Sequence, residues 1–335
     1  MIAPAAAKKP LQTVLAMFDY DGTWNDPRDP NARQFLDQAL VEMKDEFRSQ
    51  GIDLKFGVVS ARDPKGISVL NLPKSMDFTV SQNGSEIQIG GPGVTQNGQW
   101  VPTPMVEAWK NKNDSYHFDK TQVKSIMDGL LKEPKYSNLQ YLGLAAVCGV
   151  PSAESSPYMY TPCFKYDSIK LTPEEQVDAN HNGTPDVLEK ATYKTPQQMQ
   201  DFMGDLNKQL KAAGVQSVLS PAYPYMGQPY VMFDATTPSA QKGDAINYLK
   251  DMLGIPADHV IVGGDGGNDI SMAHDLNGQD DGRRFIAVSG ESDLYAAAGE
   301  LQHAILQPGQ MTSSLGIMDG MRRHLKEIAA EINQQ

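Results

Sequence analysis

Apolar residues fall along this chain in two rhythms, short unbroken runs and helical repeats, and the two alternate. Leu11–Phe18 ends in the run Val14-Leu-Ala-Met-Phe18, which predicts a buried strand. From Pro30 to Gln50 the residues Phe35, Leu36, Leu40, Met43 and Phe47 recur at helical spacing, and Gly51 stops the pattern. Asp53–Ser60 predicts a second strand and Phe78–Val80 a short third one, leading to the turn Ser81-Gln-Asn-Gly84. Strand, helix and strand with polar tips is a doubly wound α/β pattern.

The texture then changes. Ser85–Gly90 and Gln99–Pro102 flank a Gly-rich turn and predict a hairpin. A helix over 119–132 opens on Asp119 as N-cap, a strand follows over Leu139–Cys148, and Phe164–Leu171 alternates apolar and polar residues. A long helix over 196–213 closes at Gly214, and Val215–Leu219 and Tyr230–Phe233 read as strands. From Thr237 the first rhythm resumes, with a helix over Ser239–Leu253, strands at His259–Gly263 and Arg284–Val288, and a closing helix within Thr312–Ile332. The expected organisation is a Rossmann-like core in two segments, 1–90 and 235–335, around an inserted α+β domain at 91–234.

Composition narrows the function. At 335 residues with 40% hydrophobic and 21% charged residues, the chain is long enough for two globular domains. No run approaches the roughly 18 apolar residues of a spanning helix, and a formal charge of -12 disfavours nucleic acid and anionic lipid as partners. A small phosphorylated metabolite needs only a local positive patch, so that class stays open. Met1–Pro10 has no apolar core of a secretory signal, which makes the cytoplasm the default expectation. The two cysteines, Cys148 and Cys163, are expected as reduced thiols, a bridge between neighbouring strands being the minor alternative.

Candidate chemistry gathers at the strand tips. Asp19 and Asp21 lie two apart at the end of the first strand, so both can face one site, with Gly22 allowing a sharp turn. Ser60 and Arg62 follow the second strand, Asn83 the third, and Asp265, Asn268 and Asp269 a later one, while Lys242 stands near a helix start. Ligands of open α/β sheets bind at such tips. Carboxylate oxygens with little nitrogen or sulfur suit Mg²⁺, and Lys242 with Arg62 suits a phosphoryl group.

In these residues the chain resembles the haloacid dehalogenase (HAD) phosphatase superfamily. Asp19-Tyr-Asp21-Gly-Thr23, Ser60, Lys242-Gly243 and Gly264-Asp265-Gly-Gly-Asn268-Asp269 resemble its four motifs in order, and the insert after Asn83-Gly84 resembles the C2B-type cap of its sucrose-phosphatase and Cof-like sugar phosphatases. Gly316-Ile-Met-Asp-Gly-Met321 is similar to the closing helix of the sucrose-phosphatase group. The resemblance implies a phosphomonoesterase in which Asp19 is the nucleophile and Asp21 the general acid and base. It implies Mg²⁺ held by Asp19, the main-chain carbonyl of Asp21, Asp265 and Asp269. Ser60 and Lys242 are implied to hold phosphoryl oxygens, with Arg62, Asn83 and Asn268 as further substrate contacts. Two departures stand out: Ser60-Ala61-Arg62 where many relatives have Thr-Gly-Arg, and Gly266 where Ser is common. The resemblance leaves phosphoryl transfer between sugar positions as an alternative to hydrolysis.

Residues 178–189 also match a twelve-position EF-hand loop, with Asp178, Asn180, Asn182, Thr184, Asp186 and Glu189 as side-chain ligands and Gly183 at the turn. This predicts Ca²⁺ in the inserted domain. A non-catalytic module docking a protein partner through that loop is the reading from another class. Trp100, Trp109, Tyr158, Tyr160, Tyr223 and Tyr225 fall in the insert, where an aromatic face could stack on a sugar.

Overall fold

The computed structural model describes residues 10–25, 32–68, 75–96, 99–144, 156–179, 195–222, 230–288, 292–308 and 311–334, with the isolated positions 72, 181 and 185. In chain order the first elements are β1 (Gln12–Asp19), α1 (Ala32–Arg48), β2 (Ile52–Val59), α2 (Pro64–Ser68), β3 (Phe78–Ser81) and β4 (Glu86–Ile89). Then come β5 (Gly93–Gln96), β6 (Gln99–Pro102), α3 (Glu107–Asp114), α4 (Lys120–Leu130), β7 (Tyr141–Leu144), β8 (Met159–Tyr160) and β9 (Pro162–Lys165). They are followed by α5 (Gln197–Ala212), β10 (Val218–Ala222), β11 (Tyr230–Thr236), α6 (Lys242–Leu253) and β12 (Val260–Gly264). The chain closes with β13 (Arg284–Ala287), α7 (Ser292–Ala298), β14 (His303–Leu306) and α8 (Ser313–Gln334).

The principal sheet runs β14-β13-β12-β1-β2-β3-β4. Its pairings are parallel except for β4, which returns antiparallel to β3. The chain steps outward from β1 through β2 to β3, and later outward on the other side from β12 to β14, so the strand order reverses between β1 and β12. Along β1, Val14, Ala16 and Phe18 face the layer of α1 and α8, whereas Leu15 and Met17 face the layer of α6 and α7. This is the alternation of a strand covered on both faces, and it explains the unbroken apolar run.

The second sheet, β10-β11-β9-β7 with β8 beside β11, is antiparallel. Val231, Phe233 and Ala235 of β11 pack with Val123 and Met127 of α4 and with Phe202 and Leu206 of α5. Asp119 caps α4, its carboxylate accepting from the Thr121 and Gln122 amides. Asn113, buried at the end of α3, ties the chain's departure from the first sheet to its return. Its Oδ1 accepts from Thr237 Oγ1 (2.7 Å) and Ser239 Oγ (2.9 Å), while its Nδ2 donates to the Ser85 carbonyl (3.2 Å).

Several expectations are corrected. The hairpin is β5 with β6, because residues 86–89 pair with β3 instead. The strand expected over 164–171 lies at Pro162–Lys165 and yields to a 3₁₀ turn at Tyr166–Ser168. The α6 helix begins at Lys242, later than expected. Cys163 is disulfide-bonded, and the sequence holds one other cysteine, Cys148, outside the described residues. The expectation of two reduced thiols falls, and the bridged alternative stands. Among the described residues no helix is long and apolar enough to cross a membrane.

One buried polar cluster anchors α8. Arg284 donates to the Asp258 carbonyl (2.9 Å), Glu327 (2.6 Å) and Glu331 (2.9 Å), which satisfies a guanidinium that is buried in the sheet. His324 stands beside it, 3.1 Å from Glu327, and burial holds its proton affinity below the ordinary value. An unfolded His324 therefore takes up a proton more readily than the folded one, and stability falls as pH drops through the unfolded pKa of about 6.5. His324→Gln is expected to show a smaller fall in denaturation midpoint between pH 7.5 and 5.5 than the unsubstituted protein, measured by urea titration.

Candidate active site

Open α/β sheets bind ligands where strand order reverses, beyond the carboxyl ends of the strands. Here that position lies between β1 and β12, where Phe18 pairs with Gly263. The next residues along these strands, Asp19 and the pair Gly264-Asp265, therefore emerge side by side. Lys242, the first residue of α6, completes the group from the layer behind the sheet.

Lys242 Nζ donates to Asp19 Oδ1 (2.6 Å) and Asp269 Oδ1 (2.7 Å), and all three side chains are buried. Asp269 Oδ2 in turn accepts from the main-chain amides of Asp265 and Gly266, both at 3.1 Å. Thr23 Oγ1 donates to Asp265 Oδ1 (3.0 Å). Burial pushes the Asp19 carboxyl well above its usual range, Lys242 acts against this, and Asp269 and Asp265 add to it. For Lys242, burial favours the neutral amine, but Asp19 and Asp269 outweigh it and hold the ammonium.

Asp19, Asp265 and Asp269 can each place an oxygen within 4.8 Å of the others. Among the described residues they are the one such group. Three carboxylates against one ammonium leave two uncompensated negative charges in a buried place, and their donors are hard oxygens. That set fits a divalent cation such as Mg²⁺. The backbone is cut to suit: Gly22 holds φ at 80°, and a Cβ there would stand 2.0 Å from Asp265 Oδ2, so only glycine leaves room for the carboxylate.

Asp21 is bonded to the neighbouring strand tip. Its carboxylate accepts both ends of the Arg62 fork, from Nε at 2.6 Å and Nη2 at 2.8 Å. The bidentate guanidinium thus holds the second β1-tip carboxylate. Ser60 is buried, and its Oγ accepts from the Arg62 amide (3.1 Å). The neighbouring turn is laced to the same segment: the Gln82 amide donates to the Arg62 carbonyl (2.8 Å) and the Asn83 amide to the Ser60 carbonyl (3.0 Å). Gln82 and Asn83 both hold left-handed φ, 52° and 55°, a conformation that persists only where surrounding contacts enforce it.

Asn268 lies in the 3₁₀ segment Gly267–Ala273, but its side chain is outside the described set. So is most of the loop 178–189, including Asn180, Asn182, Thr184, Asp186 and Glu189. Trp109 is core rather than a stacking platform, packed with Leu15, Met17 and Leu249 and donating its Nε1–H to the Gly84 carbonyl (3.0 Å). Tyr158 and Tyr160 are likewise buried, their hydroxyls bonded to Asp114 and Tyr141. Tyr223 and Tyr225 lie outside the described residues.

Sequence reasoning missed Thr23 as the partner of Asp265 and missed Asp234. Asp234 lies on β11 within the run Tyr230–Ala235, where all the other residues are apolar and buried. A lone charge inside such a run demands a partner, which was a readable signal. Its Oδ1 accepts from Thr161 Oγ1 and its Oδ2 from Asn83 Nδ2, both at 2.5 Å.

A family model of haloacid dehalogenase-like hydrolases matches residues 17–276. Among solved structures the chain is similar to the sucrose-phosphatase of Synechocystis sp. PCC6803 in complex with sucrose and phosphate, at 15% identity and a TM-score of 0.57, covering 94% of this chain and 98% of that one. It is similar also to the phosphatase BT1666 of Bacteroides thetaiotaomicron, at 15% identity and a TM-score of 0.52, covering 97% and 98%. At such identities the likeness is one of fold. No curated protein matches the chain in sequence.

Proposed function

The chain belongs to the haloacid dehalogenase-like hydrolases, and on that premise we propose that it is a Mg²⁺-dependent phosphomonoesterase acting on a small sugar phosphate through Asp19. The observation that carries this reading is the buried set of Asp19, Lys242, Asp269 and Asp265 at the point where strand order reverses. A carboxylate nucleophile held by an ammonium, beside a cluster of hard oxygen donors, suits attack on phosphorus.

In this reading Asp19, its Oδ1 fixed by Lys242, attacks phosphorus with its other oxygen. The phosphorus–alkoxide bond breaks and an aspartyl phosphate forms. Water then attacks the phosphorus, releasing phosphate and restoring the carboxylate. Lys242 offsets the charge collected there. Mg²⁺ held by Asp19, Asp265 and Asp269 would supply further neutralisation of the phosphoryl oxygens. Ser60 and Arg62 are the phosphoryl donors at the next strand tip. A phosphoryl group competing for the Arg62 fork frees Asp21 to give a proton to the leaving oxygen and then to take one from the attacking water. The second sheet and its helices, from α4 to β11, act as the cap that selects the alcohol.

The sugar class is supported by fold alone, through likeness to a sucrose-phosphatase. Phosphate release from glycerol 3-phosphate, glucose 6-phosphate, fructose 6-phosphate and phenyl phosphate, with Mg²⁺, tests the reaction. Turnover is expected with Mg²⁺, loss by at least ~10²-fold on EDTA addition and recovery on restoring Mg²⁺. No release from any ester, or turnover indifferent to EDTA, overturns the reading.

A further inference from the structure

Asn83 joins the two sheets, and the way its amide is held decides what it can bind. Its main-chain amide is fixed to the Ser60 carbonyl, which keeps it beside the proposed phosphoryl tip. The side chain reaches away from that tip toward the second sheet. There the Nδ2 group donates to Asp234 Oδ2 at 2.5 Å and also faces Met159 Sδ at 3.8 Å. Along β11, Val231, Phe233 and Ala235 face the helices α4 and α5, so by alternation Asp234 stands on the opposite face, turned to the principal sheet. Thr161 Oγ1 donates to the other carboxylate oxygen at 2.5 Å and holds it in place.

A carboxylate is an acceptor, so it sets the orientation of the amide: the nitrogen must face Asp234 and the oxygen must face away. Both amide hydrogens are then committed. Asn83 Oδ1 is buried and has no hydrogen-bond partner among the described residues. A buried acceptor without a donor is costly and calls for an explanation. It cannot take a phosphoryl oxygen, because that too is an acceptor. It can take a hydroxyl hydrogen.

The geometry points to Asn83 Oδ1 as the acceptor for a hydroxyl group on the alcohol half of the substrate, with Asp234, braced by Thr161, as the residue that positions it. This rests on the phosphomonoesterase reading and deepens it by naming the side chain that would read a hydroxyl of the sugar. A site built to accept a hydroxyl discriminates strongly against analogues that lack one.

The test compares glycerol 3-phosphate, glucose 6-phosphate and fructose 6-phosphate, which carry hydroxyls, with phenyl phosphate, which has none. Asn83→Gly removes the amide and tolerates the left-handed φ of 55°. It is expected to lower kcat/KM on the best hydroxylated ester about 10- to 100-fold more than on phenyl phosphate. Asp234→Ala, which removes the acceptor that fixes the amide, is expected to shift the same ratio in the same direction by a smaller factor, mainly through KM. An equal loss on both kinds of ester makes Asn83 a phosphoryl or structural residue and overturns the inference, as does no loss on the hydroxylated esters. Calorimetry of glucose 6-phosphate and phenyl phosphate in an Asp19→Asn background separates this from the reaction. If the unsubstituted protein hydrolyses nothing but Asn83→Gly selectively weakens glucose 6-phosphate binding, the reaction falls and the hydroxyl contact stands. Hydrolysis without that selectivity in either measurement leaves the reaction and removes the contact.

Discussion

Asp19→Asn is expected to reduce phosphomonoester hydrolysis by at least ~10³-fold while leaving the protein folded, because it removes the attacking oxygen and little else. Folding is preserved for a specific reason. Lys242 keeps its bond to Asp269 (2.7 Å) when Asp19 loses its charge, so no buried ammonium is stranded. An asparagine there also relieves part of the like-charge repulsion that Asp269 and Asp265 impose on Asp19. Phosphate release measured with Mg²⁺ on the best ester, beside a thermal melt of the same sample, checks both halves. Turnover within tenfold of the unsubstituted protein removes Asp19 from the reaction.

The second large effect concerns the counter-charge. Lys242→Met deletes the one ammonium between Asp19 and Asp269, each of which is bonded to it within 2.7 Å. Asp19 and Asp269 then lose the cation bonded to them, and breaking such a pair costs about 3–5 kcal/mol. The loss is expected to be greatest in EDTA. Mg²⁺ restores part of it, since a ligand that binds only the folded state stabilises it by mass action. Adding Asp19→Asn to Lys242→Met is expected to recover stability, because it removes one of the two stranded charges. Urea midpoints for the two single variants and the double variant, with and without Mg²⁺, supply the cycle. A Lys242→Met protein as stable as the unsubstituted one in EDTA contradicts the placement of its ammonium.

The residues of this group were legible because each is written locally. An apolar run followed by a carboxylate and a glycine marks a strand tip, and that grammar identifies Asp19 with Gly22 and Asp265 with its flanking glycines wherever the strands lie. Lys242 was placed only approximately, since its helix starts at the residue itself. What the chain does not spell out locally is which tips are adjacent. Asp21 shares the Asp19 tip but its carboxylate is taken by Arg62, from beyond the next strand. Likewise β4 reads as half of a hairpin until its register with β3 is known. Asp234 lay hidden in an apolar strand because its partners, Asn83 and Thr161, are 151 and 73 residues away in sequence. The core role of Trp109, bonded to the Gly84 carbonyl, depends on long-range packing in the same way.

The amide of Asn113 gathers Thr237 and Ser239, on the far side of the insert, to the end of α3. The stretch between these residues therefore starts and finishes at nearly one point. A loop whose ends already touch imposes little closure entropy on the body that carries it, whatever its length. Such a stretch can be lengthened, trimmed or exchanged for another without disturbing the strand tips that hold Asp19 and Asp265.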